Sequence, residues 1–359
     1  MTNIRPFKID VPQSDIDELN TKLLGSRFPG VAEDSWERGT PIQDIKHISE
    51  HWRENFSWRS FEERLNRLPH YEATVAVDGF DPVQVHFIHQ QSSAPDAIPL
   101  LFVHGWPGGF HEIIKCLPLF AESEKNGGPA FHVIAPSLPN FGFSSRVDRP
   151  GFGLRQYAET CHKLMLGLGY KKYACQGGDW GSQICRLLGE GYPQSMRAIH
   201  LNLILAGPPP ITSPIKFARF LITSFLKWYT PAEAARLNGM RDYQMNGNGY
   251  FQIQKQRPNT IGVALSDSPV GLLAWIYDKL VTWTDDYPFT DDEVCEWGFS
   301  YFPKELFGTP RFWNRQIGNV VFEKEHDGGG HFAAWEKPEA LVGDLRVMFG
   351  RGGGAYEPR

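Results

Sequence analysis

Gly177-Gly178-Asp179-Trp180-Gly181 lies between a short apolar run, Lys172 to Cys175, and a segment in which Ile184, Cys185, Leu187 and Leu188 recur at helical spacing. Strand, tight turn and helix in that order form a nucleophile elbow. Crowding in such a turn demands small residues two before and two after the nucleophile, and Gly177 and Gly181 meet that demand. Many elbows carry serine, which needs a histidine to take its proton. An aspartate is ordinarily ionised at neutral pH and attacks directly, leaving an ester of the enzyme that only water can cleave. A histidine in such a site therefore activates water rather than the nucleophile. The competing reading of Asp179 is a helix-capping carboxylate in a glycine-rich turn.

From about Pro99 onward, strand and helix patterns alternate: Leu100 to Val103 then Glu112 to Ala121, Phe131 to Ala135 then Arg155 to Leu168, then the elbow strand and its helix. Such alternation predicts an α/β fold with a mostly parallel sheet covered by helices on both faces. A further strand is expected at Ala198 to Leu203, a late one at Asn319 to Phe322, a closing helix at Pro338 to Phe349, and a frayed tail from Gly350. Before this region, Ser14 and Asp17 resemble a capping box for a first helix, and Ile45, Ile48 and Trp52 belong to a second. Tyr71 to Val77 and Val83 to Ile88 read as an antiparallel pair. Between Gly207 and Val294 the strand signal lapses into apolar helical faces rich in aromatics, the character of a helical lid. The expected organisation is an N-terminal segment over 1–95, a core over 96–207, a lid over 208–296 and the rest of the core over 297–359.

The chain has 359 residues, 41% of them hydrophobic, and a net charge of −5. With no basic run or basic amphipathic helix, neither nucleic acid nor an anionic membrane is expected as a partner. No apolar run is long enough to span a bilayer, so a soluble protein without a membrane anchor is expected. The five cysteines are scattered and show no metal-type pairs, which points to reduced thiols, a cytoplasmic location and no metal site. Oligomeric state is open, a homo-oligomer included.

His104-Gly105-Trp106-Pro107-Gly108-Gly109 follows the strand Leu100 to Val103. The turn at that place supplies one backbone N–H to an oxyanion hole, taken as that of Trp106, and the residue after the nucleophile, Trp180, supplies another. His104 is expected to brace the turn rather than act as a base. His331, in Gly328-Gly329-Gly330-His331, occupies a loop late in the chain, where the histidine of such a triad follows the nucleophile and the acid. His162, His200 and His326 lack such a loop. The acid that orients His331 belongs between the lid and this loop. Glu305 lies in that interval, whereas Asp327 is too close in sequence, and Glu323 and Glu325 are expected to be solvated.

Taken together, these residues resemble the epoxide hydrolases of the α/β-hydrolase fold, in particular the microsomal-type and fungal branch. The resemblance runs through Arg5-Pro6-Phe7 to Gly30, the turn His104 to Gly108, the elbow, and Gly330-His331-Phe332-Ala333-Ala334 with Glu336 and Pro338. Phe302-Pro303-Lys304-Glu305 matches the place where this branch carries its acid, the main support for Glu305. In this family two lid tyrosines hydrogen-bond the epoxide oxygen. Gly249-Tyr250-Phe251-Gln252-Ile253-Gln254 resembles the segment that holds the first, so Tyr250 takes that role. Family members carry further lid and a strand between the equivalents of Glu293-Val294 and Tyr301-Phe302; here Cys295 to Ser300 alone separate them, implying a shortened lid that lacks the second tyrosine. Tyr287 or Tyr301 could stand in for it. The resemblance implies a cofactor-independent enzyme whose partners are a small apolar epoxide and water. The rival readings are a ligand-binding relative made inactive by the shortened lid and a haloalkane dehalogenase-like hydrolase.

Overall fold

Five residues, Asp78 to Pro82, are too few for a helical crossover, so the strands on either side of them pair antiparallel. In the computed structural model, which describes residues 3–204, 206–297, 313 and 318–357, β2 (His70–Val75) and β3 (Val83–Gln90) form this hairpin, with Ala73 opposite Val85. A short β1 (Ile4–Pro6) extends it at the edge. The elements that follow alternate as the sequence predicts: β4 (Ile98–Val103), α4 (Cys116–Lys125), β5 (Phe131–Pro136), α5 (Leu154–Gly167), β6 (Tyr173–Gly177), α6 (Asp179–Gly191) and β7 (Met196–Leu201). The seven-stranded sheet has the order β1-β2-β3-β5-β4-β6-β7. β3 meets β5 antiparallel, and β5, β4, β6 and β7 are parallel.

Alternation along β4 sets up both faces of the sheet. Leu100 and Phe102 enter one core with Cys116, Leu117 and Phe120 of α4 and with Leu341, Leu345 and Met348 of the closing helix Pro338–Phe349. Leu101 and Val103 enter the other with Ala158, Cys161, Leu164 and Met165 of α5 and Ile184, Cys185 and Leu188 of α6. All five cysteines are free and buried, in the bland role of small core residues.

A third core ties the N-terminal segment to the late part of the chain. α1 (Gln13–Leu24) and α2 (Ile42–Glu54), which α3 (Trp58–Leu65) follows, contribute Leu23, Ile45, Ile48 and Trp52. These pack on Val270, Leu273, Ile276 and Leu280 of α11 (Pro269–Trp283) and on Phe332 and Trp335. After β7 the chain is helical: α7 (Pro214–Phe225), α8 (Pro231–Asp242), α9 (Gly249–Gln256), α10 (Pro258–Asp267), then α11 and α12 (Asp291–Trp297). No single helix among the described residues is long and apolar enough to cross a membrane.

Three local expectations change. Asn319 to Phe322 forms no strand: the irregular tail is its neighbour, and Gly354 packs so closely against Val321 that a Cβ there would collide with the Val321 carbonyl. The tail itself is anchored rather than frayed, through Ala355 N–H to the Met348 carbonyl (3.0 Å) and an Arg197–Glu357 ion pair. Ser14 does not cap α1. Pro12 is the residue before the helix, its φ of −54° already suited to helix entry, and Ser14 Oγ donates to Asp15 instead.

Leu101 is fully buried between two parallel neighbours. Leu101→Ala is expected to cost about 2–5 kcal/mol in a urea melt, against roughly 0.5 kcal/mol or less for Ile215→Ala on the exposed face of α7. Equal costs would show that β4 does not carry the core.

Candidate active site

Sheet order brings β4 and β6 side by side, so the turns leaving their C-terminal ends meet. Asp179 opens α6 with φ +45°, a left-handed conformation that L side chains rarely adopt. The two elbow glycines make it possible. A Cβ on Gly177 would stand 2.5 Å from the Gly181 carbonyl, and one on Gly181 would run into the Val103 carbonyl at the end of β4. A Cβ on Gly105 would collide with the Asp179 carboxylate itself.

The Trp106 N–H donates to Asp179 Oδ1 at 2.7 Å. The Trp106–Pro107 bond is cis. His104 braces this turn: it accepts from the Leu138 N–H through Nε2 (3.0 Å), which leaves Nδ1–H to donate to the Gly105 carbonyl (2.9 Å). Burial pushes its pKa down to about 4, consistent with a neutral ring in a structural role. Trp180 is the second residue of α6, so its N–H has no acceptor within the helix.

His331 is buried, with Nε2 3.5 Å from Asp179 Oδ2. Its loop is fastened at several points. Asn202, just past β7, donates to the His331 carbonyl (3.2 Å) and accepts from Gln176 of β6 (2.8 Å). Glu336 accepts the N–H groups of Gly330 (3.0 Å), Phe332 (3.2 Å) and Asp285 (3.0 Å). Burial pushes the Glu336 carboxyl up, and these three donors hold it back. The other histidines are occupied elsewhere: His162 with Tyr173, and His200 and His326 with Asp344. Glu325 pairs with Arg236. Glu305 and Tyr301 lie outside the described residues.

Tyr250, on α9, stacks on Trp106 with ring centroids 5.2 Å apart and planes 10° from parallel, and meets Trp283 at 4.9 Å. Trp283 also meets the His331 ring at 6.4 Å. Tyr287, by contrast, hydrogen-bonds Lys115 Nζ (2.7 Å) and Glu293 (2.9 Å) away from this cluster. The structure thus brings together Asp179, His331, Trp106, Trp180 and Tyr250, and leaves Tyr287 aside.

A sequence profile described as "Epoxide hydrolase N terminus" matches residues 4–113, and one described as "alpha/beta hydrolase fold" matches residues 98–338. The chain is 35% identical over 391 residues to a putative epoxide hydrolase of Stigmatella aurantiaca, covering 96% of this chain and 84% of that one. It belongs to the epoxide hydrolases of the α/β-hydrolase fold. The solved Aspergillus niger epoxide hydrolase superposes with a TM-score of 0.81 at 32% identity, over 96% of this chain and 95% of that one. Juvenile hormone epoxide hydrolase from the silkworm Bombyx mori gives 0.84 at 26% identity, over 96% and 93%. The Stigmatella alignment is longer than the 359 residues of this chain, so that relative carries stretches with no counterpart here.

Sequence reasoning missed Glu112, Asn202, Gln176 and Tyr243. Gln176 and Asn202 sit at or just past the ends of adjacent strands, a position that could have flagged them. Glu112 had no such signal. It is buried in the cavity that Asp179 and His331 line, against Gly108, where a Cβ would collide with its carboxyl. Burial drives its pKa well above the usual carboxylate range; the His331 charge opposes this, and the Asp179 charge adds to it.

Because its folded pKa is raised, neutral Glu112 contributes stability that is complete below the ordinary value of 4.5 and is lost as pH rises through the raised one. The loss is at most about 1.4 kcal/mol per pH unit in that window. Glu112→Gln is expected to flatten the decline in urea midpoint as pH rises above 4.5. Parallel curves for the two proteins would place the titration elsewhere.

Proposed function

We propose that this protein opens an apolar epoxide to a vicinal diol through a covalent ester on Asp179. The observation that carries the reading is the opposed pair of contacts on one carboxylate: Oδ1 accepts from the Trp106 N–H, while Oδ2 faces His331 Nε2 across 3.5 Å. That gap exceeds an ordinary hydrogen bond, so Oδ2 is held beside the histidine without a tight bond to it. Oδ2 attacks an epoxide carbon, the C–O bond breaks, and Tyr250 gives its hydroxyl proton to the departing oxygen. An alkoxide is a poor leaving group, and a positioned acid contributes on the order of 10²–10⁴ in rate.

His331, oriented by Glu305, then takes a proton from water as the water oxygen attacks the ester carbonyl. The Trp106 and Trp180 amides receive the oxyanion. Collapse expels the second alkoxide, which takes the proton from His331, and the carboxyl proton left on Asp179 returns through solvent to Tyr250. The balance is epoxide plus water to diol, with no cofactor. Trp106, Tyr250 and Trp283 form an aromatic cluster next to Asp179 and His331, which suits an apolar substrate. The helices from α7 to α11 serve as the lid that keeps bulk water from the ester.

A single turnover of styrene oxide with excess enzyme in ¹⁸O-labelled water tests the scheme. The first diol should carry unlabelled oxygen from Asp179, and the label should appear in Asp179 afterwards. Label in the first diol would reject the ester. Asp179→Ala is expected to abolish diol formation, and His331→Gln to accumulate protein heavier by one substrate in intact-mass spectra; an active Asp179→Ala would mean another nucleophile.

A further inference from the structure

Tyr250 has a partner that no part of this scheme uses. Its hydroxyl lies 3.0 Å from that of Tyr243. Residues seven apart in an unbroken α-helix are separated by about 10 Å along the axis, too far for two hydroxyls to be held in register without a break. The break is present: Tyr243 opens a single π-helical turn, Tyr243–Gly247, and Asn248 leads directly into α9. Such turns insert a residue into a helix and recur at functional sites. Gly247 makes room for the phenol, since a Cβ there would press on the Tyr243 ring at 3.2 Å.

The Tyr250 ring is fixed on its remaining sides by Trp106, by Trp283 and by the Lys279 ammonium, 4.7 Å from its centroid. With the ring held, rotation of the O–H is the freedom left, and a second hydroxyl at 3.0 Å decides where it points. Two hydroxyls at that distance share one hydrogen, so one of them retains a proton for a third group. Burial raises both phenols; their mutual hydrogen bond raises Tyr250 further and lowers Tyr243, and the charge of Asp179 adds to the rise in each, so both are protonated at neutral pH.

We propose that Tyr243 is the positioning partner of Tyr250: it donates its hydroxyl hydrogen to the Tyr250 oxygen as that oxygen passes its proton to the opening epoxide. The proposal rests on the epoxide-opening reading given above. As the epoxide C–O bond breaks, the Tyr250 O–H bond breaks and a new O–H forms on the substrate. The phenolate left on Tyr250 accepts from Tyr243, which keeps its own proton throughout. Hydrogen bonds to a charged oxygen are about twice as strong as neutral ones, so this contact strengthens only as the ring opens. Tyr243 supplies this support from within the same helical segment and through Tyr250, not by touching the substrate.

Single-turnover kinetics with excess enzyme and styrene oxide separate ester formation from ester hydrolysis. Tyr243→Phe is expected to slow ester formation about tenfold or more and to leave hydrolysis within about twofold, as loss of one hydrogen bond to a charged group implies. In a Tyr250→Phe background the same substitution should change neither step, because the group it acts through is gone. An unaffected rate of ester formation in Tyr243→Phe, or losses that multiply in the double variant, would overturn the proposal. Should Tyr243→Phe not fold, 3,5-difluorotyrosine at position 243 preserves the shape and makes a stronger donor; ester formation should then be faster, and an unchanged rate overturns the proposal. Wild-type protein that forms no ester overturns both readings, whereas ester formation in wild type with an indifferent Tyr243→Phe overturns this one alone.

Discussion

The hydrogen bond from the Trp106 N–H to Asp179 Oδ1 joins the ends of two neighbouring strands, and the other parts of the site are arranged around it. It exists because β4 and β6 are adjacent and parallel, which stacks their C-terminal turns against each other. It also needs absence of bulk: a side chain at position 105 would occupy the volume of the carboxylate, and one at 181 would push α6 away from β4. The positive φ at Asp179 is the cost of presenting the carboxylate there, on the order of 1–3 kcal/mol, and buried packing of α6 on α5 and β6 offsets it.

How much of this could be read from the sequence depended on the range of the interaction. The elbow, its glycines, the bracing role of His104 and the strand-helix alternation are local patterns, and each appears where it was expected. Long-range effects were not legible. The glycine-flanked Tyr250 gave no hint that Tyr243 would reach it, because the π turn that joins them has no sequence signature. Val320 and Val321 have the composition of a strand, yet a strand requires a partner, and the tail presents an irregular backbone there. The buried place of Glu112 was not legible either, because nothing local says that Gly108 opens a slot for it.

Three carboxyls in the site and in the histidine loop have been given different tasks by their surroundings. Asp179 faces a backbone donor and a histidine. Glu336 accepts three backbone N–H groups and so fixes the residues on both sides of His331. Glu112 is driven towards its neutral form by burial. A second full negative charge beside Asp179 would be repelled in a medium of low dielectric, so a protonated Glu112 lets the cavity keep a carboxyl there without opposing the Asp179 charge.

The apolar contacts explain why the Asp179–His331 side and the Tyr250 side stay in register although they come from distant parts of the chain. Phe332 and Trp335, next to His331 in sequence, pack into the same core as Leu273, Ile276 and Leu280 of α11. α11 also carries Lys279 and Trp283, two of the three groups that hold the Tyr250 ring. α1 and α2 close that core from the other side, with His47 and His51 of α2 reaching Asp291 and Asp292 of α12. The N-terminal segment clamps α11 against the histidine loop, so the spacing of His331 and Tyr250, the proposed base and acid, is set by one shared core, and a loss of packing at Ile48 or Trp52 reaches both.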